Sequence, residues 1–354
     1  MFLKQIKLVN FRNHAESNFR FNNKITCVVG NNGVGKTNLL DAIYYLCLTK
    51  SYLYPDDKLN VRYGCDFFRL EGTFNHNDEI LHVVCKYVSG RKKEFSCNNT
   101  IYVKLSDHIG RIPCIMICPA DGEIITGGSE ERRKAIDITL SQTDTNYLNA
   151  LMQYNKILAQ RNAALKNYVE SGKKDFSLIE IYSNQLIAPS NYIYQKRKEV
   201  FTGLSEIFKE TYYSISGSSE RVNIDYKSQL HDSDLQSLLI RNRQKDIELQ
   251  RTESGIHKDD FDMMLENYPV KRFGSQGQQK SFLLAFKLSL YHYISVEKSI
   301  KPILLVDDVF DKLDKQRSQR LIDYFSNDRM GQIFLTHTKG EDFIHHSAAE
   351  LIAI

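Results

Sequence analysis

The order of apolar and polar positions divides the 354-residue chain into three regions. In residues 1–128, apolar residues form short β-branched runs or alternate with polar ones, as in buried or half-buried strands. In residues 129–250, they recur every three or four positions, which is typical of one face of a helix. Residues 251–354 return to helices that alternate with apolar strands. The pattern therefore predicts an α/β domain that is split by an inserted helical lobe.

The same pattern predicts individual elements. The predicted strands of the first region span residues 2–9, 19–21, 25–29, 67–74, 80–88 and 95–103, and a helix runs from position 37 to about 48. We expect the stretch from about 61 to 117 to form a small antiparallel sheet. The insertion is predicted to hold a helical hairpin, connected at 171–174, and a further helix over about 234–250. The last region is predicted to contain a helix over 277–296 and strands over 302–307 and 332–336.

A glycine-rich segment joins the strand at 25–29 to the helix that follows it. It reads Gly30-Asn31-Asn32-Gly33-Val34-Gly35-Lys36-Thr37 and matches the P-loop pattern G-x-x-x-x-G-K-[ST] at every fixed position. Glycines let backbone N–H groups turn toward a triphosphate, and the helix N-terminus adds partial positive charge. We predict that Lys36 reaches the β- and γ-phosphates and that the Thr37 hydroxyl binds Mg²⁺; a chance match is the alternative. The predicted nucleotide contacts here are Gly30, Asn31, Asn32, Gly33, Val34, Gly35, Lys36, Thr37 and Asn38.

A second segment with candidate chemistry is the apolar run Ile303-Leu304-Leu305-Val306, which ends in Asp307 and Asp308. Ligands of open α/β sheets lie at the carboxyl ends of the strands. We expect Asp307 to hold Mg²⁺ and Asp308 to orient or deprotonate an attacking water. Many buried strands end in an acidic residue, so this run alone does not indicate a nucleotide-binding site. It does so here because the same chain carries a P-loop.

The long helix predicted at 277–296 is preceded by Ser275-Gln276-Gly277-Gln278. A serine hydroxyl, a glycine backbone and a helix N-terminus can together bind an anion. A plain serine cap on a structural helix is the alternative. His337 directly follows the last predicted strand, where it is either a functional residue or an ordinary surface histidine.

The amino-acid composition excludes few classes of protein. The chain has 47 Lys and Arg against 43 Asp and Glu, and the net charge of +4 permits nucleic-acid contact without arguing for it. Seven scattered cysteines suit a reducing cytoplasm; a zinc site at Cys114 and Cys118 is conceivable, but core thiols are the better interpretation. We expect no membrane span, because no apolar run approaches about 18 residues, and no signal peptide.

In their order along the chain, these segments resemble the ABC-type ATPase core. A smaller group within this class is indicated by Leu8-Val9-Asn10-Phe11-Arg12-Asn13, which is similar to the opening of SMC-like chromosome and repair ATPases. Three further stretches resemble the RecF family in order and spacing. They are Gly128 to Arg133 with Ile136-Asp137, Tyr154 to Leu165, and Arg251-Thr252 with Gly255 to Asp260.

The resemblance implies roles for particular residues and a fold, an ABC/SMC-like head without a long coiled coil. Ser275, Gly277 and Gln278 would contact the γ-phosphate of ATP bound by the opposite subunit of a homodimer. Asp314 would lie at that dimer interface, and His337 would be the switch residue near the γ-phosphate.

The family is implicated in recombinational DNA repair, replication restart and SOS induction. By resemblance, the chain would be a weak, DNA-stimulated ATPase that binds DNA in its ATP state. With RecR, and alongside RecO, it would help place RecA on single-stranded gaps. Candidate DNA contacts are Arg132, Arg133 and Arg161 in the insertion and Lys4 and Lys7 on the first strand, each of which could also be a solvated charge. Asp308 stands where many ABC ATPases carry Glu, and its shorter side chain predicts slow turnover.

Three departures limit the resemblance. Ser51-Tyr52-Leu53 lacks the Arg that the family tends to carry there, and Ile256 replaces a Pro in the Gly-Pro-His segment. The strand at Cys114–Cys118 is followed by Pro119-Ala120-Asp121, so no Q-loop glutamine is assigned. Two alternatives stay open: an ATPase subunit coupled to a membrane transporter, and a nucleotide-gated scaffold that hardly hydrolyses ATP.

Overall fold

The computed structural model describes residues 1–76, 79–172, 175–310, 313–338 and 349–354. The predicted connection at 171–174 therefore lies partly outside the described residues, since Lys173 and Lys174 are not among them. Across these ranges, none of the helices is both long enough and apolar enough to cross a membrane.

The chain forms fourteen strands and ten α-helices within the described ranges. The strands are β1 Phe2–Phe11, β2 His14–Arg20, β3 Ile25–Val29, β4 Phe67–His76, β5 Glu79–Val88, β6 Glu94–Cys97, β7 Thr100–Ile101, β8 Cys114–Ile117, β9 Val222–Lys227, β10 Asp260–Leu265, β11 Tyr268–Pro269, β12 Ile303–Val306, β13 Ile333–His337 and β14 Glu350–Ala353. The helices are α1 Lys36–Leu48, α2 Gly122–Thr126, α3 Ser129–Thr143, α4 Thr145–Ser171, α5 Ser177–Ser216, α6 Leu235–Arg241, α7 Arg243–Leu249, α8 Val270–Phe273, α9 Gln276–Lys298 and α10 Lys315–Ser326.

These elements pack into two compact units. Unit 1 comprises Met1–Asp121, Thr211–Ser219 and Gln276–Ile354, and unit 2 comprises Gly122–Glu210 and Glu220–Ser275. The boundaries that we inferred from the sequence, after residues 128 and 250, remain predictions about domains. Packing in the structure instead divides the chain after Asp121 and after Ser275, and it assigns a short segment around Gly217 to unit 1.

A parallel sheet forms the centre of unit 1, with strand order β14-β3-β13-β12-β8. Its inner strands are almost wholly buried, which explains their continuous apolar sequences. Because all five strands are parallel, the residues that follow β3, β12 and β13 come together at one edge. The expectation that the apolar stretch ending at Ile117 belongs to an antiparallel sheet is wrong, since β8 pairs in parallel with β12.

The second sheet of unit 1 is antiparallel, in the order β2-β1-β4-β5-β6-β7. One face is lined by buried apolar residues such as Ile6, Phe68 and Val83, and helix α1 packs against both sheets. All but two of the residues of α1 are buried, which accounts for its mostly apolar sequence. The antiparallel sheet predicted over 67–103 is confirmed, with β1 and β2 added to it.

Unit 2 holds the long helices α3 and α4, most of α5, and the short helices α6 and α7. The single helix predicted over 234–250 is instead two helices that meet at Asn242. Unit 2 also contains a three-stranded sheet, β11-β10-β9, that the helical period of the insertion gave no reason to expect. In β9 and β10 every second residue is buried, but the runs are only six residues long and are separated by more than thirty positions.

Candidate nucleotide-binding site

The P-loop lies between β3 and α1, at the edge of the parallel sheet where β3 ends. Gly35 precedes the helix with a φ of 113°, a left-handed angle that side-chain-bearing residues rarely adopt. A Cβ at this position would lie 2.6 Å from Asn13 Oδ1 and 2.8 Å from His14 Nε2. Gly35 is therefore required both by its backbone angle and by the closeness of the two N-terminal strands.

Lys36 begins α1 and is 4% exposed. Its Nζ donates to the carbonyl oxygens of Gly30 at 2.8 Å and Asn31 at 3.1 Å. Within the described residues we find no ion pair of this ammonium group. Burying an ammonium group is costly unless negative charge lies near it, and a bound phosphate would add such charge.

Thr37 and Asp307 meet beside Lys36. The Thr37 hydroxyl lies 2.9 Å from both carboxylate oxygens of Asp307, and the Thr336 hydroxyl lies 2.8 Å from Asp307 Oδ1. Burial raises the pKa of Asp307, while the hydrogen bonds from Thr336 and Thr37 oppose that shift. A hydroxyl and a carboxylate oxygen are ligands that Mg²⁺ prefers, so these residues fit the predicted metal ion. Across the described ranges, no cluster of three or more His, Cys, Asp or Glu residues could hold a metal by itself.

Asp308 directly follows Asp307 and has a φ of 45°. This unusual angle is held by a hydrogen bond from the Asp308 N–H to the Thr336 hydroxyl at 2.9 Å. His337 ends β13 and pairs in register with Val29, the last residue of β3 before the P-loop. Asp308 and His337 thus lie at the same sheet edge as the P-loop, while their catalytic roles remain predictions.

Asn13 and His14 contact the P-loop, and the sequence had assigned them no role. Asn13 Nδ2 donates to the carbonyl oxygens of Val34 at 2.7 Å and Gly33 at 3.3 Å, and its Oδ1 accepts from Asn38 at 2.8 Å. His14 Nε2 lies 3.2 Å from the Gly35 carbonyl, which can only accept, so this nitrogen carries the proton. Burial lowers the pKa of His14. The likeness of Phe11-Arg12-Asn13 to repair ATPases was the available signal.

The Ser275-Gln276-Gly277-Gln278 segment begins α9, a helix of 23 residues. Ser275 is exposed and belongs to unit 2, whereas Gly277 and Gln278 are partly buried and belong to unit 1. Asp314 precedes α10 and caps it, because its side chain accepts from the backbone N–H of Arg317 at 2.9 Å. The roles of these residues across a dimer remain predictions.

The basic residues predicted to contact DNA fall into two groups. Lys4 and Lys7 are exposed on β1. Arg161 is 1% exposed and forms an ion pair with the buried Asp246 at 2.8 Å, so the structure contradicts a DNA contact by this side chain. Arg132 binds Asp260 through two nitrogens, and Arg133 donates to the Asp259 carbonyl at 2.7 Å, so both guanidinium groups already have protein partners.

The stretches of the insertion that resemble the RecF family form a buried polar network in unit 2. Arg197, which is 1% exposed, donates to Asp259 at 2.6 Å, to Asp137 at 2.9 Å and to the Ile256 carbonyl at 2.8 Å. Next to Ile256 in the chain, His257 lies 2.7 Å from the Tyr154 hydroxyl and 3.0 Å from the Thr252 carbonyl. These stretches therefore hold unit 2 together, which the sequence alone did not reveal.

A second buried network surrounds the segment that lacks the family's Arg. The Tyr52 hydroxyl bonds to Asp121, and Lys287 of α9 donates to the Tyr52 hydroxyl at 2.9 Å and pairs with Asp121 at 3.1 Å. The Tyr52 N–H donates to Asp41 of α1 at 2.7 Å. Tyr52 thereby links α1, the helix that follows the P-loop, to α9. Asp121, which contacts both Tyr52 and Lys287, is the last residue before unit 2 begins.

Comparisons with known proteins agree with this arrangement. A family model described as an AAA domain matches residues 5–329. The DNA replication and repair protein RecF of Flavobacterium johnsoniae is 43% identical over 341 residues, which cover 96% of this chain and 95% of that protein.

Among solved structures, the chain is similar to "Structure of the recombination mediator protein RecF-ATPrS in RecFOR pathway" and to its RecF-ATP counterpart. The TM-scores are 0.89 and 0.88, the identities 27% and 28%, and the coverages 99% and 96% of this chain and 96% and 93% of those chains. A Smc head domain from Pyrococcus furiosus has a TM-score of 0.58 at 14% identity, covering 99% of this chain and 93% of that chain, and shows a shared fold. The predicted ABC/SMC-like fold is confirmed, and the chain belongs to the RecF family of DNA replication and repair proteins.

Proposed function

We propose that the protein is an ATP-dependent DNA-binding protein of recombinational repair, which dimerises on ATP and hydrolyses it slowly. The observation that carries this proposal is the meeting of Thr37 with both carboxylate oxygens of Asp307, at 2.9 Å, beside the buried Lys36. Membership of the RecF family and the likeness to a RecF–ATP structure support it. The same membership favours DNA repair over a transporter-coupled ATPase.

The proposed nucleotide is ATP with Mg²⁺. Lys36 would bind the β- and γ-phosphates, and the backbone from Gly30 to Gly35 would surround them. Thr37 and Asp307 would hold Mg²⁺, which neutralises phosphate charge when bound. Asn13 fixes the loop through the Gly33 and Val34 carbonyls, so less of the binding free energy is lost in ordering it.

The proposed hydrolysis residues are Asp308 and His337. Asp308 would orient or accept the proton of the attacking water, and its short side chain supports slow turnover. His337 would lie near the γ-phosphate, as its register beside Val29 and the P-loop allows. Thr336 supports Asp307 and Asp308 together and would keep their spacing constant.

The proposed active unit is a homodimer in which Ser275, Gly277 and Gln278 contact ATP on the opposite subunit, with Asp314 at the interface. ATP binding would then close two copies around DNA. We propose Lys4 and Lys7 as phosphate contacts, because both are exposed on one strand. With RecR, and alongside RecO, the clamp would help place RecA at single-stranded gaps, in replication restart and in SOS induction. This DNA-directed role would be carried out in the cytoplasm.

The test is DNA binding at low ionic strength with ATP or ADP, on gapped duplex and on matched intact duplex. We expect ATP to tighten binding at least about tenfold, a coupling free energy of about 1.4 kcal/mol. Lys36→Ala should abolish the difference between ATP and ADP, while Lys315→Ala, a change at an exposed position of α10, should keep it. Equal binding with both nucleotides by the unmodified protein would contradict the proposed clamp.

A further inference from the structure

Two tight turns lie side by side at one end of the antiparallel sheet of unit 1. One turn precedes β4 and the other follows β5. Because β4 and β5 are antiparallel, the start of one strand and the end of the other meet at the same end of the sheet. The Ser89 N–H donates to the Asp66 carbonyl at 2.7 Å and joins the two turns. We call residues 62–67 and 88–92 the sheet rim.

Tyr63 lies in the first turn of the sheet rim and is fully exposed, at 101%. The turn is closed by a hydrogen bond from the Cys65 N–H to the Arg62 carbonyl at 3.0 Å. Gly64, in the third position, has a left-handed φ of 80°, as in a type II turn. A tight turn therefore holds the backbone beneath an aromatic ring that is open to solvent, although tyrosine rings usually pack against other side chains.

Two further apolar side chains of the sheet rim face the solvent. Phe67 and Val88 lie opposite each other in the register of β4 and β5, and they are 39% and 37% exposed. Their sequence neighbours Phe68 and Tyr87 lie on the other face of the sheet and stack with a ring-centroid distance of 5.4 Å. A single exposed apolar residue is common, but Tyr63, Phe67 and Val88 are three at one end of the sheet. Such a group is typical of a surface that binds a partner.

The charge of the sheet rim favours an anionic partner. Arg62, Arg91 and Lys92 are exposed, and Asp66 is the one carboxylate in the two segments, so the formal net charge is +2. Among the ion pairs that the described residues form with one another, none includes these three cations. Cations beside exposed aromatic rings are the combination that binds single-stranded nucleic acid, in which phosphates lie next to unpaired bases.

The sheet rim continues into the outer face of the sheet, which carries Lys7. Phe67 and Arg69 alternate with buried residues of β4 and so lie on this outer face. Further along β4, Glu71 pairs with Arg69 and lies opposite Lys7 of β1 in the register. Phe67 and Glu71 are four positions apart, roughly 13 Å along a strand. A DNA phosphate bound by Lys7 would thus lie only a few nucleotides from the sheet rim.

We propose that the sheet rim binds an unpaired nucleotide of single-stranded DNA. The ring of Tyr63 stacks on the base, and Arg62, Arg91 and Lys92 contact the phosphates beside it. A duplex hides the faces of its bases in the stack, so only a gap, a single strand or a frayed end presents such a base. This inference rests on the proposed function and deepens it, because it names the feature of gapped DNA that the protein recognises.

Backbone contacts connect the sheet rim to the P-loop. The Arg62 N–H donates to the Asn10 carbonyl at 2.9 Å, and the Arg12 N–H donates to the Asn60 carbonyl at 2.9 Å. Asn13, directly after Arg12, holds two carbonyls of the P-loop. A nucleotide that orders the P-loop would also order the segment that carries the sheet rim, and so tighten DNA binding.

The first experiment compares Tyr63→Ala with the wild type on gapped duplex and on matched intact duplex, with ATP at low ionic strength. Loss of one stacked base should weaken binding to gapped duplex by at least about fivefold and leave binding to intact duplex within about twofold. Tyr63→Phe keeps the ring and should bind both as the wild type does. Because the side chain is fully exposed, neither substitution removes packing that the fold needs. Ile80→Ala, at an exposed position at the other end of β5, is the matched control and should bind both DNAs normally.

A second experiment detects stacking directly. The chain contains no tryptophan, so Tyr63→Trp introduces a single fluorescent reporter at the sheet rim. A single-stranded oligonucleotide should quench its emission through base stacking, and an intact duplex should not. Emission that is unchanged by a saturating single strand would overturn the proposal.

The cations of the sheet rim are tested through salt dependence. On a single-stranded oligonucleotide, Arg91→Gln and Lys92→Gln should each lower the slope of log affinity against log salt by about 0.7. Lys315→Gln, at an exposed position of α10, should leave the slope unchanged. Wild-type slopes in both rim variants would contradict phosphate contact by these side chains.

The outcomes separate this inference from the proposed function. A wild-type protein that does not bind DNA with ATP would contradict the proposed function itself. A normal wild type with an equally tight Tyr63→Ala variant on gapped duplex would overturn only the role of the sheet rim, as would be seen if the rim binds a protein partner. Equal losses by Tyr63→Ala on gapped and intact duplex would also overturn it, because stacking on an unpaired base cannot explain them.

Discussion

Thr37 Oγ1 lies 2.9 Å from both carboxylate oxygens of Asp307, although 270 positions separate the two residues in the chain. One residue follows β3 and the other follows β12, and β13 lies between these strands in the parallel sheet. The contact therefore depends on the sheet being assembled from the two ends of the chain around the insertion. A hydroxyl and a carboxylate so arranged have the chemistry to hold Mg²⁺ against a phosphate.

We expect Thr37→Val to weaken Mg²⁺-dependent ATP binding by at least about tenfold, because valine keeps the shape of threonine but lacks the metal-binding hydroxyl. Titration of a fluorescent ATP analogue, with Mg²⁺ and with EDTA, measures the effect. Thr73→Val on β4 is the matched control and should bind as the wild type does. Equal affinity of Thr37→Val and the wild type in the presence of Mg²⁺ would refute the metal role.

We expect Asn13→Ala to weaken ATP binding as well, but through the shape of the loop. The Asn13 amide holds the carbonyls of Gly33 and Val34, so its loss leaves the loop to be ordered by the nucleotide. The expected loss is about 1 to 2 kcal/mol, the cost of one or two hydrogen bonds. It should appear equally with and without Mg²⁺, in contrast to Thr37→Val. A loss confined to Mg²⁺-containing solutions would argue against a role in loop shape.

How much of this site the sequence predicts depends on how local each signal is. The P-loop and the acid-tipped strand are short, continuous patterns, and the structure brings them to one sheet edge as parallel strands require. Asn13 and Thr336 were missed because their roles come from tertiary contacts with single backbone or side-chain atoms. No periodicity in the sequence reports such contacts.

In the insertion, the sequence predicts the helices but not which charged side chains are buried. Its helical period was correct for α3, α4 and α5, but an arginine pattern cannot distinguish a surface cation from a buried one. Arg161 was predicted to touch DNA and is instead buried against Asp246, Ser183 and Thr252. The partners come from α5, α7 and the segment after α7, so only the assembled unit reveals that the charge is satisfied internally.

The stability of the protein should fall as pH decreases from about 6.5 to 4. Burial lowers the pKa of His257 and of His108 to about 4, so each unfolded histidine binds a proton in this range while the folded one does not. The stabilisation is therefore fully present above pH 6.5 and is lost as pH falls toward the folded pKa. Urea unfolding at pH 7.5 and pH 5 measures it.

The histidine variants identify the groups responsible for this pH dependence. His257→Gln should reduce the slope of unfolding free energy against pH between 6.5 and 5, since one titrating group is gone. His76→Gln, at a histidine that is only partly buried, is the matched control for the substitution itself. Identical slopes in the wild type and in His257→Gln would contradict the assignment.

The buried pair of Arg161 and Asp246 should matter for folding and not for DNA contact. The side chains are 1% and 0% exposed, so Arg161→Met leaves an uncompensated carboxylate inside unit 2 and should cost about 3 to 5 kcal/mol of unfolding free energy. Urea unfolding followed by circular dichroism gives this value. Lys7→Gln, at an exposed position, should change stability by less than about 0.5 kcal/mol.

In DNA binding, we expect Lys7→Gln to have the larger effect and Arg161→Met the smaller one. If Lys7 contacts a phosphate, Lys7→Gln lowers the slope of log affinity against log salt by about 1, because one counter-ion fewer is released. Arg161→Met, measured at a temperature where it is still folded, should keep the wild-type slope, since the guanidinium group that this variant lacks is buried in the wild-type protein. A reduced slope for folded Arg161→Met would mean that this arginine leaves its buried site to bind DNA.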